Sequence, residues 1–198
     1  MSKSPFAGKP VSRWGAVTEQ LLKVHPLDAD TIVEVVLAAW KSIFDSRMGS
    51  QGFQIGKDMF PKPQIMGFFL HELIPLELAA RFPDEWRGDK SSDEKDIVYI
   101  VDRKYSVEIK TSSNPNRIFG NRSYAQKTTK SKKTKSGYYL AVNFEKFADT
   151  ALLPAIKKIS FGWIDASDWM GQRAASGQQA RLSADVETKK LKTLYPIA

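Results

Sequence analysis

Asp96, Glu108 and Lys110 are the residues whose types and spacing best suit chemistry. Two carboxylates converging on one point can hold a hard divalent cation through oxygen, and magnesium usually takes one or two carboxylates and keeps several waters. A neighbouring lysine can orient a water or lower its pKa, while the cation stabilises charge on a phosphate oxygen. Both acids border or interrupt apolar runs. Residues 96–101 and 105–112 are rich in Val, Ile and Tyr and predict two strands joined by the polar turn Asp102-Arg103-Lys104. With a three-residue turn, Asp96 faces Lys110 and Val98 faces Glu108, and period-two alternation puts Asp96, Glu108 and Lys110 on one face. A two-residue turn shifts the register by one and sends Asp96 to the other face. An exposed hairpin edge decorated with charge is the plain alternative. The cost of burying an unpaired charge in an apolar strand favours a site.

The elements around this hairpin must position it. Residues 12–25 predict a helix with Ser12 as N-cap, and residues 30–48 a stronger one carrying Val33, Val36, Ala39, Trp40, Ile43 and Phe44, ended by Gly49. A third helix is expected over 64–81, with Ile65, Phe68, Phe69, Leu73, Leu76 and Ala80 as its apolar stripe and a kink at Pro75. Glu72 falls inside that stripe, where an acid needs a cation, a metal or a donor; a core lysine or arginine, or His71, would also serve. Residues 82–95 read as a polar linker. Residues 137–144 and 158–164 predict buried strands, 171–179 an exposed loop, and 183–198 a short basic helix or a dimer contact. His25 and His71 are too few and too far apart to suggest a metal cluster or a histidine mechanism.

At Lys95-Asp96-Ile97-Val98-Tyr99 and Val107-Glu108-Ile109-Lys110-Thr111-Ser112 the sequence resembles the PD-(D/E)xK nucleases, and among them type II restriction endonucleases of the ScaI-like group. Ile74-Pro75, Asn121-Arg122-Ser123-Tyr124 and Gly137-Tyr138-Tyr139 fit the same group, and the likeness covers about residues 53–165. Lys95 stands where the motif has proline. The resemblance implies an α/β fold with a restriction-endonuclease-like core, a mixed central sheet flanked by helices. It also implies magnesium held by Asp96, Glu108 and the Ile109 carbonyl, with Lys110 assisting the attacking water and Glu72 as an added acid from the preceding helix. Cleavage of both strands of a short palindromic DNA site, leaving 5′-phosphates, is then expected. Two-fold symmetry of the site implies a homodimer, and a cognate DNA methyltransferase is expected in the same system.

Composition agrees with a polyanionic partner. The 198-residue chain carries a net charge of +8, and its basic residues are clustered: residues 103–135 hold ten lysines and arginines and one acid, Glu108. Arg117, Asn121, Arg122, Ser123, Tyr124 and Gln126 mix cations and amides with aromatics, types that grip phosphate and read base edges. Lys127, Lys130, Lys132 and Lys133 read as a phosphate-contacting loop, and Gln178, Gln179 and Arg181 as further base contacts. Without cysteine, disulfides, thiolate zinc sites and cysteine nucleophiles are excluded. No apolar run approaches the length needed to span a bilayer, and no signal-peptide core follows Met1, so a single cytoplasmic domain is expected. A repair nickase or junction resolvase on the same fold, or a non-catalytic nucleic-acid-binding module, would use the same composition.

Overall fold

The computed structural model describes residues 4–126, 134–172 and 177–196. Three α-helices come first: α1 (Trp14–Lys23), α2 (Ala29–Asp45) and α3 (Pro63–Arg81). Strands follow: β1 (Trp86–Gly88), β2 (Ile97–Tyr99), β3 (Val107–Ser112), β4 (Phe119–Asn121), β5 (Gly137–Phe144), β6 (Ile156–Ile164), β7 (Met170–Gly171), β8 (Gln179–Arg181) and β9 (Leu191–Pro196). Six of them form a sheet in the order β1-β2-β3-β5-β6-β9, and a smaller sheet has the order β4-β8-β7. Within the large sheet β3 and β5 run parallel and every other pair is antiparallel, so the sheet is mixed as expected.

The middle of the sheet follows from sequence. β5 is buried at every position, as its unbroken apolar run requires of a strand covered on both faces. Tyr138, Leu140 and Val142 join Val107 and Ile109 against the helices. Tyr139 and Ala141 face the other way, into a second core with Ile118, Trp169, Ala180 and Leu182. The small sheet is therefore seated on the back of β5.

The helices differ from expectation in instructive ways. α2 starts where the Asp28 carboxylate accepts from the Thr31 N–H at 2.7 Å, an N-cap two residues ahead of the predicted start. α1 begins at Trp14 after a 3-10 turn, with no side-chain cap from Ser12. α3 begins with Pro63 in its first turn, where the missing N–H has no partner to lose. Its buried face is Met66, Gly67, Leu70, Ile74 and Leu78, whereas Ile65, Phe68 and Leu76 are exposed. Glu72 shares the exposed side and is not on a buried stripe. Apolar residues occur all round this helix, so periodicity alone offered two phases.

Beyond the small sheet, none of whose strands was expected, two strands of the large sheet were hidden. β1 lies inside the predicted linker and carries the buried Trp86, and Arg87 next to it grips Glu94 with both terminal nitrogens at 2.6 and 2.8 Å. With Arg103 also on Glu94, that carboxyl is held well below its usual range. The C-terminal segment, expected as a helix, instead makes a π-helical turn at Val186–Lys190 and then the edge strand β9 against β6.

His25 is buried beneath Trp86, Tyr105, Tyr138 and Phe161. Its Nδ1 accepts from the Leu27 N–H at 3.1 Å, which assigns the proton to Nε2, donating to the Tyr105 carbonyl at 3.0 Å. Burial lowers its pKa to about 4 from an ordinary 6.5. Between those values the unfolded chain binds the proton and the folded one does not, so stability is full above 6.5 and is lost as pH falls towards 4. Urea unfolding over that window is expected to show about 3 kcal/mol more loss for the wild type than for His25→Gln. Parallel pH profiles for the two proteins would show that His25 is not the group responsible.

Candidate active site

β2 and β3 pair at Ile97↔Val107 and then part. The connection contains a 3-10 turn at Arg103–Tyr105, longer than the expected hairpin turn. Register is thus displaced by two residues, bringing Asp96 level with Glu108 instead of Lys110. Where the strands separate, the Ile109 N–H that would continue the ladder donates to Asp96 Oδ2 at 2.6 Å. Asp96 therefore closes the open end of the strand pair.

Glu108 is only 2% exposed. Its Oε1 accepts from Lys110 Nζ at 2.9 Å and from the Tyr124 hydroxyl, and its Oε2 lies 3.5 Å from Lys95 Nζ. Lys110 also donates to the Ile109 carbonyl at 3.1 Å and sits over the Tyr124 ring. Lys95, 9% exposed, lies over the Tyr139 ring at 4.9 Å. Two lysines thus flank the one buried carboxylate of Glu108. Burial and the negative charge of Glu108 push the Tyr124 hydroxyl far above its ordinary pKa, so it remains a proton donor.

α3 contributes a residue that sequence reasoning dismissed. His71 Nδ1 lies 3.7 Å from Asp96 Oδ2. Burial lowers the imidazole pKa, with Asp96 opposing. The helix comes this close because of Gly67: a Cβ there would sit 2.7 Å from Thr111 Oγ1 on β3. Glu72, the acid expected from α3, is exposed, and its charge only helps to raise the His71 pKa. Lys95 was read only as a departure from proline; its place against Glu108 depends on the parting of the strands, which residue types do not reveal.

Adjoining cavities of about 510 and 340 Å³ share His71, Thr111, Phe119, Gly120 and Asn121. Together they make a cleft from Glu108, Lys110 and Tyr124 out to Phe68 and Gln179. The expected DNA-contacting residues divide around it. Asn121 and Gln179 are cross-strand partners at its rim, and Arg181 is paired with Phe119. Arg122 donates to the Gly177 carbonyl at 3.1 Å, and its N–H to the Gln178 carbonyl at 2.8 Å, so it clasps the loop entering β8. Tyr124 belongs to the acid site. Lys135 donates to the carbonyls of Ser123 and Gln126, while Arg117 is exposed beside a turn held by Asn143. Lys127, Lys130, Lys132 and Lys133 lie outside the described residues.

Helices packed on a mixed sheet, with acids and a lysine where two of its strands part, make a restriction-endonuclease-like α/β core. Comparison of the sequence with known proteins agrees: the chain belongs to the ScaI restriction endonuclease family, which it matches over residues 4–195. It is a restriction endonuclease, a site-specific deoxyribonuclease. Across 196 residues it is 52% identical to the Type II restriction enzyme ScaI of Streptomyces caespitosus, an alignment covering 98% of this chain and 86% of that protein.

The Tyr124 hydroxyl is a donor to a buried charged acceptor. Tyr124→Phe is expected to lower unfolding free energy in urea by about 2 kcal/mol, the usual effect of losing such a bond. An unchanged midpoint would mean that water replaces the hydroxyl at no cost.

Proposed function

We propose that this type II enzyme cuts both strands of a short palindromic duplex site in a magnesium-dependent reaction, with Asp96, Glu108 and the Ile109 carbonyl as the protein's metal ligands. The observation that carries the metal assignment is the position of the Lys110 ammonium. It is held by Glu108 Oε1 at 2.9 Å and the Ile109 carbonyl at 3.1 Å, so two of the three ligand oxygens already converge on a positive charge. Among the described residues no group of three or more Asp, Glu, His or Cys is arranged for a metal. Magnesium needs few carboxylates and keeps its waters, so two acids and a carbonyl would be enough to hold it.

Bound there, the cation would neutralise charge developing on the scissile phosphate. Glu108 would turn Oε1 from Lys110 to the cation, with the Tyr124 hydroxyl still fixing the carboxylate's orientation. Lys110, released, would donate to the attacking water. Asp96 keeps the Ile109 peptide in place through its N–H, which aims the carbonyl into the site. His71 and Lys95 flank the two carboxylates and limit their motion. Water attacks phosphorus and gives up a proton to solvent, the bond to the 3′ oxygen breaks, and that oxygen takes up a proton from solvent, so a 5′-phosphate and a 3′-hydroxyl remain. A palindromic site presents the same scissile bond on each strand, so a homodimer with one site per strand is the arrangement proposed. Among the described residues no helix is long and apolar enough to cross a membrane. Work in the cytoplasm beside a protective DNA methyltransferase completes the proposal.

The burial of Glu108 changes how the site should be tested. Glu108→Ala would leave Lys95 and Lys110 without their shared carboxylate, an uncompensated buried charge costing about 3–5 kcal/mol. Isosteric changes separate chemistry from folding. Asp96→Asn, Glu108→Gln and Lys110→Met are each expected to slow plasmid cleavage in magnesium by about 100-fold or more. Discrete bands from the wild type support site-specific cutting; nicks or branch-dependent cuts would point to a nickase or resolvase. Near wild-type rates for Glu108→Gln would remove it from the metal site.

A further inference from the structure

Resting on the DNA-cleaving role above, we propose that the outer face of the β4–β8–β7 sheet reads bases in the major groove. Asn121 and Gln179 would take adenine and Arg181 guanine. Period-two alternation gives this sheet two unlike faces. Gly120 and Ala180 are buried, while Asn121, Gln179, Arg181 and Met170 are exposed. Phe119 is opposite Arg181, Asn121 opposite Gln179, and Met170 opposite Arg181, so all five share the outer face.

The chemistry of that face is specific. Asn and Gln amides present a donor and an acceptor that match adenine N7 and N6, and an arginine fork matches guanine N7 and O6. Cross-strand partners stand about 5 Å apart, so the two amides can engage one base pair or neighbouring ones. A narrow β-ribbon also fits the major groove. Asn121 and Gln179 line the cleft that reaches His71 and Glu108, so these two readers and that acid can meet one duplex.

The inner face fixes the distance between reading and cutting. A Cβ on Gly120 would lie 3.1 Å from the Tyr124 ring and 3.2 Å from Trp169, so glycine lets β4 lie directly on both. Tyr124 in turn donates to Glu108. The readers therefore stand one aromatic layer from the metal-binding acid. Arg122, by contrast, is committed to the Gly177 carbonyl and serves the shape of the ribbon.

The test is selection of bound duplexes from a randomised pool, with calcium present so that binding can be read without cutting. Wild type is expected to select one consensus. Asn121→Ala, Gln179→Ala and Arg181→Ala are each expected to lose about ten- to a hundredfold of discrimination at one symmetry-related pair of positions, and to keep it elsewhere. Gln179→Glu supplies a gain that a misfolded variant cannot imitate: preference at its position should move from adenine towards cytosine. If all the variants retain the wild-type consensus, lose affinity for every sequence alike, or if wild type selects nothing, the assignment is overturned. Cleavage of the selected duplex in magnesium is scored separately. A consensus that is bound but left uncut would support the readers while contradicting the nuclease mechanism.

Discussion

A buried carboxylate between two lysines is the constraint on which the site depends. Glu108, on a central strand, has almost no contact with water, and Lys110, Lys95 and the Tyr124 hydroxyl surround it. Any one of these charges alone would be costly to bury; together they are tolerable because attraction and hydrogen bonds offset desolvation. The cluster is also poised for exchange. An ammonium and a divalent cation seek the same oxygens, so under the proposed mechanism Lys110 would hold the ligands in place until a metal displaced it.

The surrounding fold keeps that cluster in place from three directions. Gly67 lets α3 lie against β3, which brings His71 to Asp96. Asp96 replaces a strand as the partner of the Ile109 N–H, so the opening between β2 and β3 is closed by a catalytic candidate and not by backbone. On the far side Trp169 packs against Tyr124 and Tyr139. The chain next to Trp169 is anchored by Lys190, whose buried ammonium donates to Asp165 and Asp168 at 2.8–2.9 Å. A residue near the C-terminus thus steadies the aromatic layer beneath Glu108.

How much of this was legible in the sequence depended on range. β5 could be read because an unbroken apolar run has few other uses, and α2 because its apolar stripe was clean. Asp96 was expected beside β3 and is found bonded to its Ile109 N–H, although the turn is longer than supposed. α3 misled, since apolar residues on both its faces disguised which side was buried; Glu72 was chosen where His71 is found. β1 was missed because a short strand bearing charge resembles a linker, and β9 because its basic run suited a helix. The pairing of Asn121 with Gln179, and the use of Tyr124 as a hydrogen-bond donor to Glu108, come from contacts distant in sequence. Residue type pointed to nucleic acid in each case, and only the fold separated the ribbon from the acid cluster.

The claim that Lys110 occupies a cation position can be measured directly by anomalous diffraction from crystals grown with manganese and cognate duplex. A single strong peak is expected among Asp96, Glu108 and the Ile109 carbonyl, with the Lys110 ammonium withdrawn from Glu108 Oε1. Metal density elsewhere in the cleft, with Lys110 still bonded to Glu108, would contradict the assignment.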